Sequence, residues 1–147
     1  MIHAIFDCST NLASFAVYSN GFMLFEETAE GQRGASSLLP WLTELLEKEK
    51  LTVNDITHWT VGVGPGSFTG LRVGISFIKG ICAGSNAQYR GVSSSYGLLT
   101  QVMSKEAIVI HDGRQQEILV HKFKLENGQW ISDSIEVKAI AKFKAPK

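Results

Sequence analysis

The run Gly64-Pro65-Gly66-Ser67-Phe68-Thr69-Gly70-Leu71-Arg72-Val73-Gly74 sets a glycine-rich turn between an apolar run and a helical pattern. The unsatisfied N–H groups of a helix start reached through such a turn can hold an anion. The chemistry it would serve is phosphate or carboxylate binding. Its letters depart from two familiar phosphate loops. Leu71-Arg72 stands where the Walker pattern has Lys-Ser/Thr, and the dinucleotide pattern needs a glycine two positions before Gly70. The plainer alternative is a sharp turn with Ser67 or Thr69 as the helix cap. Arg72 counts against it, because a cation in the first helical turn opposes the helix dipole and calls for a partner.

Asp7, with Ser9 beside it, and Asp112 each close an apolar run. An acid at a strand end can bind a metal or orient a phosphate; the simpler reading is a carboxylate that bonds its own turn, since no second carboxylate follows in either loop. The four histidines, His3, His58, His111 and His121, have neither HxxxH nor HExxH spacing, so a protein metal site is not expected. No GxSxG elbow is present, and Ser93-Ser94-Ser95 reads as a helix cap, so nucleophilic catalysis is not expected either.

The elements that must position these residues follow from periodicity and turn chemistry. Ile2 to Phe6 predicts a strand, and two β-rich runs around Asn20-Gly21 predict a hairpin, so the chain opens as an antiparallel meander. Leu38, Leu42, Leu45 and Leu46 recur at i, i+4, i+7 and i+8, which predicts a helix capped by Ser36 or Ser37, with Pro40 in its first turn. Trp41 falls beside the charged side of that helix rather than on the leucine stripe. Trp59 to Val63 predicts a buried strand. The helix from Leu71 to Ala83 carries Leu71, Ile75, Ile78 and Cys82 on one stripe, with Gly70, Gly74, Phe77 and Ile81 beside it. Two of its sides call for burial, so a partner helix is a second reading beside simple core.

Tyr89 to Val92 predicts a strand, Ser93 to Met103 a helix, Ala107 to Ile110 a strand, and Glu117 to Val137 a hairpin about Asn127-Gly128. The order strand, Asp, Asn-Gly hairpin thus occurs twice, from Asp7 and again from Asp112. This is the order of duplicated ribonuclease-H-like lobes, an α/β class, with one lobe over 1–104 and the start of a second over 105–147.

The 147 residues carry 14 Lys+Arg against 14 Asp+Glu, with 44% hydrophobic and 19% charged. That describes a globular protein able to bury a core without disulfides, and leaves no chain-wide charge to hold a polyanion. Lys138, Lys142, Lys144 and Lys147 form a basic end. The two cysteines, Cys8 and Cys82, lie in apolar runs and read as reduced, packed thiols in a cytoplasmic protein. No secretory signal and no membrane span are expected.

The run "GVGPGSFTGLRVGISFIKGI", with "IFDCST" and "SSLLPWLTELL" before it and "GVSSSYGLL" and "IHDGRQQEILVHKF" after it, closely resembles the bacterial TsaB (YeaZ) family. The resemblance implies a two-lobed actin-like fold that has lost nucleotide catalysis and partners the homologous TsaD. That pair, with the small ATPase TsaE, transfers a threonylcarbamoyl group from its adenylate to the adenosine beside the anticodon of certain tRNAs. ATP belongs to the wider complex rather than to this subunit, tRNA is met only through the complex, and no membrane is involved.

The family contact is made by N-terminal helices matching Ser37 to Leu46 and Leu71 to Ala83. It would place Trp41, Leu42, Leu45, Arg72, Gly74, Phe77, Ile78 and Ile81 at the interface; on that reading, Gly74→Trp abolishes association without unfolding the chain. Gly64, Gly66, Ser67, Thr69 and Gly70 form the family's glycine loop, with Asp7 and Ser9 a vestigial phosphate or metal position. Two departures stand out: Gly34-Ala35-Ser36-Ser37 replaces a His-Ser-Glu segment, and Lys147 falls where the family continues, so the second lobe is expected to be incomplete and its meander to expose a face. The rival expectations are a residual ATPase using Asp7 and the glycine loop, a peptidase, or a homodimeric module.

Overall fold

Ile2–Asp7 (β1), Ala13–Ser19 (β2) and Phe22–Ala29 (β3) form the expected antiparallel meander. Asn20 and Gly21 both hold positive φ, 50° and 88°, as a two-residue type I′ hairpin requires. The computed structural model describes residues 1–30 and 35–143. After the Ala35–Lys48 helix (α1), His58–Gly62 (β4) pairs parallel with β1, and beyond the Phe68–Ala83 helix (α2), Gln88–Val92 (β5) pairs parallel with β4. The sheet order is β3-β2-β1-β4-β5.

Because side chains alternate along a strand, Ala4 and Phe6 on β1, Phe15 and Val17 on β2, and Trp59 and Val61 on β4 turn to one face, where they are buried. Phe15 lies at the centre of that face. Its ring stacks on Trp59 (6.0 Å between centroids, planes 18° apart) and meets Phe6 and Trp41 edge-on at 6.5 and 6.4 Å. Leu38, Trp41, Leu42, Leu45 and Leu46 from α1 and Ile78 and Cys82 from α2 complete this core.

Two expectations for α1 are corrected. Trp41 is buried in the core, because 38, 41, 42, 45 and 46 follow i, i+3, i+4, i+7, i+8 and one helical stripe contains them all. Ser36 and Ser37 are not caps; the helix already includes Ala35, which puts both inside its first turn and makes Pro40 its sixth residue. The segment 31–34, which holds Gly34 of the His-Ser-Glu replacement, lies outside the described residues, as do Lys144 and Lys147 of the basic end.

The chain divides into two compact units, Met1–Ser93 and Ser94–Lys147, where the sequence reading divides it at 104/105. The difference arises because Tyr96 and Leu99 pack with Val109 and Phe123, with Tyr96 edge-on to Phe123 at 5.2 Å. The helix expected over Ser93 to Met103 is only Ser95–Leu98 (α3), followed by a 3-10 turn at Leu99–Gln101. Gly97 and the β-branched Thr100 and Val102 weigh against a longer helix.

In the second unit, Glu106–Arg114 (β6), Glu117–Glu126 (β7) and Gln129–Ala139 (β8) form an antiparallel sheet in the order β6-β7-β8. β6 runs past Ile110 and carries His111 and Asp112 within the strand. Asn127 and Gly128 repeat the positive-φ hairpin turn at 50° and 78°. Ile135 and Val137 remain exposed, at 55% and 62%. Among the described residues no helix is long and apolar enough to cross a membrane.

Candidate functional site

The glycine loop joins the end of β4 to α2, and its backbone is fastened on both sides. Val63 N–H donates to Val92 O over 3.0 Å, and Ser93 Oγ–H donates to Gly64 O over 3.0 Å. Gly64 holds φ +93°, which an L side chain rarely adopts, and a Cβ there would come within 2.8 Å of Leu71 Cδ1. The amide of Ser67 donates to Ser9 O over 2.6 Å. Its hydroxyl oxygen accepts from Gly70 N–H at 3.2 Å and its carbonyl from Leu71 N–H at 2.8 Å. Ser67 is therefore the cap of α2, and Thr69 is an exposed residue of the first turn.

Gly66 and Gly70 have a steric cause. A Cβ at Gly66 would run into the carbonyl oxygen of Ser9, and one at Gly70 into that of Cys8. The loop thus lies directly on the turn that follows β1. That turn is held by Asp7, whose Oδ1 accepts from Ser9 N–H at 2.6 Å. Asp112 does the same in the second unit, accepting from Arg114 N–H at 2.8 Å. Both acids make the short-range turn bond that is the simpler reading of their sequence positions.

Because α2 starts at Phe68 rather than Leu71, Arg72 falls in its second turn, where its guanidinium lies 5.5 Å from the centre of the Phe68 ring. The partner that the cation called for is an aromatic face. Phe68, Thr69, Arg72, Val73, Ser76 and Phe77 line a groove of about 510 Å³ along the outer side of the helix. Phe68 is 66% exposed.

The residues expected at a partner interface separate into two sets. Trp41, Leu42, Leu45, Gly74 and Ile78 are buried within the first unit, so they are corrected from surface to core. Gly74 is the sharpest case: a Cβ there would sit 3.4 Å from Cys8 Cβ and 3.5 Å from Phe6 Cε1, so a tryptophan would displace the helix from the sheet. Arg72 is exposed, and Phe77 and Ile81 are half-buried. The sequence reading did not single out Phe68, Val73 or Ser76; the i, i+4 spacing of Phe68, Arg72 and Ser76 becomes visible once Ser67 is recognised as the cap.

A polar chain in the second unit was also not anticipated. Ser95 Oγ lies 2.8 Å from His111 Nε2 and 3.1 Å from His121 Nδ1, and His121 Nε2 lies 2.8 Å from Ser132 Oγ. Ser95 and His121 are buried. Burial lowers the pKa of both imidazoles, and the nearby His111 lowers that of His121 further. No spacing rule brings together residues 95, 111, 121 and 132; the register of β6, β7 and β8 and the packing of the α3 segment against them do.

Three antiparallel strands followed by two parallel ones in the order β3-β2-β1-β4-β5, with helices after β3 and β4, define a ribonuclease-H-like lobe of the actin-like ATPase class. The profile of the family described as "TsaD: tRNA N6-adenosine threonylcarbamoyltransferase" matches residues 31–145. The tRNA threonylcarbamoyladenosine biosynthesis protein TsaB of Escherichia coli is 26% identical over 135 residues, covering 88% of this chain and 58% of that protein. Its namesake in Haemophilus influenzae is 31% identical over 80 residues, 54% of this chain and 34% of that one. The structure of YeaZ from Pseudomonas aeruginosa superposes with a TM-score of 0.84 at 21% identity, over 99% of this chain and 71% of that one. The chain belongs to the family of that profile, and the relatives it resembles there are bacterial TsaB (YeaZ) proteins. It spans 58% of the length of its Escherichia coli relative.

Proposed function

We propose that this chain acts in tRNA threonylcarbamoyladenosine biosynthesis as a non-catalytic subunit that binds and activates TsaD. The reading rests on family membership together with one observation: the glycine loop and Asp7, where an actin-like lobe would handle phosphate, are occupied by backbone packing and by a turn bond. The loop serves to seat α2 on β1. Nucleotide chemistry, and the ATP it consumes, then belongs to TsaD and TsaE, and tRNA reaches this chain through the assembled complex.

The partner surface in this reading is the outer groove of α2, with Phe68 and Arg72 at its centre and Val73, Ser76 and Phe77 along it. An exposed aromatic beside an arginine and an apolar strip is the composition that partner interfaces favour at their cores. Co-purification of the chain with TsaD of the same organism, followed by a threonylcarbamoylation assay with TsaE and tRNA, tests it. A stable, active complex that Phe68→Ala weakens is the expected result. ATP turnover by the chain alone, or self-association through α2 that TsaD does not displace, would replace this reading with an ATPase or a homodimeric module.

A further inference from the structure

On the sheet face opposite the helices, β1, β4 and β5 set His3, Thr60 and Arg90 in a row. His3 Nε2 lies 2.8 Å from Thr60 Oγ1, and Arg90 donates its Nε–H to the same oxygen over 3.1 Å. Arginine can only donate, so Thr60 accepts from it; the arrangement that also gives the hydroxyl proton a partner directs it to His3 Nε2 and leaves the imidazole proton on Nδ1. Thr60 is buried and orients both neighbours. The Nε bond leaves the two terminal nitrogens of the guanidinium as an outward fork, and no carboxylate pairs with Arg90 among the described residues.

His3, His58, Trp59, Gln88, Tyr89 and Arg90, with Met1, line a cleft of about 400 Å³ here. The titratable and charged groups around His3 are His58 from β4, Arg90 from β5, Tyr18 paired with it on β2, and the α-ammonium at Met1, which bonds Asn20 Oδ1 at 2.8 Å. None of them is a carboxylate. Burial, and after it the charges of Arg90 and His58, disfavour a proton on His3.

We propose that this cleft is an anion site that takes a phosphate monoester, with the Arg90 fork on the phosphate and His3 and His58 beside it. Planar bidentate pairing is what a guanidinium offers to phosphate. The cleft is far larger than a bare phosphate and leaves room for the organic part of an ester. The site is independent of the α2 groove.

The test follows the histidine ring signals of the whole chain by NMR during titration with inorganic phosphate and with phenyl phosphate, at constant ionic strength made up with chloride. Both probes are expected to shift the His3 ring saturably and to raise its pKa. Arg90→Gln, on an exposed edge-strand side chain, is expected to weaken binding by about tenfold or more, the loss of a charge-assisted pair, and Arg90→Lys to restore part of it. Thermal melts establish that the variants are folded; should Arg90→Gln not fold, the wild-type pKa response of His3 decides. Signals unmoved by either probe, a shift that chloride reproduces, or undiminished binding by folded Arg90→Gln would overturn the proposal.

Discussion

The backbone N–H of Ser67 donates to the carbonyl oxygen of Ser9 across 2.6 Å, and this bond ties the start of α2 to the turn after β1. The approach is possible only because residues 66 and 70 lack side chains. The most conspicuous motif in the sequence is thereby explained by the closeness of two backbones rather than by a bound ligand.

A methyl group at either position should therefore be costly. Gly70→Ala is expected to destabilise the chain by about 1–3 kcal/mol or more through overpacking against the Cys8 carbonyl. Gly80→Ala, in the same helix but with nothing within 4 Å of its Cβ position, should stabilise it by about 0.5–1 kcal/mol. Urea unfolding midpoints of the two variants should move in opposite directions; equal shifts would contradict the packing account.

The same contrast separates core from surface on the helices. Trp41→Ala is expected to cost about 3–5 kcal/mol because it empties a space beside Phe15. Phe68→Ala and Arg72→Glu should leave the melting temperature nearly unchanged while weakening TsaD capture in pull-down. Loss of capture by Trp41→Ala at wild-type stability would reverse this assignment.

Much of this was legible in the sequence. The two Asn-Gly hairpins, the meander, the leucine stripe and the two acids at turns rest on local chemistry, which a sequence carries openly. The error over Trp41 came from tracing the stripe through leucines alone, and that over Arg72 from placing the start of α2 three residues late. The polar chain through Ser95, His111, His121 and Ser132 was invisible because strand register and the packing of α3, which no local pattern encodes, assemble it.

That chain makes stability depend on pH. His111 and His121 have folded pKa values below the ordinary imidazole value, so the unfolded chain binds protons first as pH falls. Their contribution is complete above about pH 6.5 and is lost as pH drops below it toward the folded values. Denaturation of the second unit, followed by the Trp130 indole NMR signal in the whole chain, should be easier at pH 5 than at pH 7.5. Ser95→Ala, which strips the bridging hydroxyl, should cost about 1–3 kcal/mol at the higher pH. A flat pH profile would contradict the role assigned to the two histidines.

Cys8 offers a chemical probe of the first unit. Burial, with the Asp7 carboxylate adding to it, pushes its thiol up to about 11, and burial raises Cys82 as well. At pH 8 little thiolate is present at either. Labelling by a disulfide reagent should be slow in the native chain and should accelerate to the rate of an exposed thiol in denaturant. Fast native labelling would mean that the β1 turn opens readily.

The central position of β1 also orders the events of synthesis. β1, β2 and β3 leave the ribosome together and can zip through their Asn-Gly turn at once, but one edge of β1 stays unpaired until α1 and then β4 have emerged. During that interval the nascent chain carries an open strand edge beside apolar side chains, the configuration most prone to pairing with another molecule. The second unit has no such interval, since each of its strands pairs with the next in line. Its three strands need only neighbours in sequence, so the first unit, with its long-range β1–β4 pairing, sets the pace of folding.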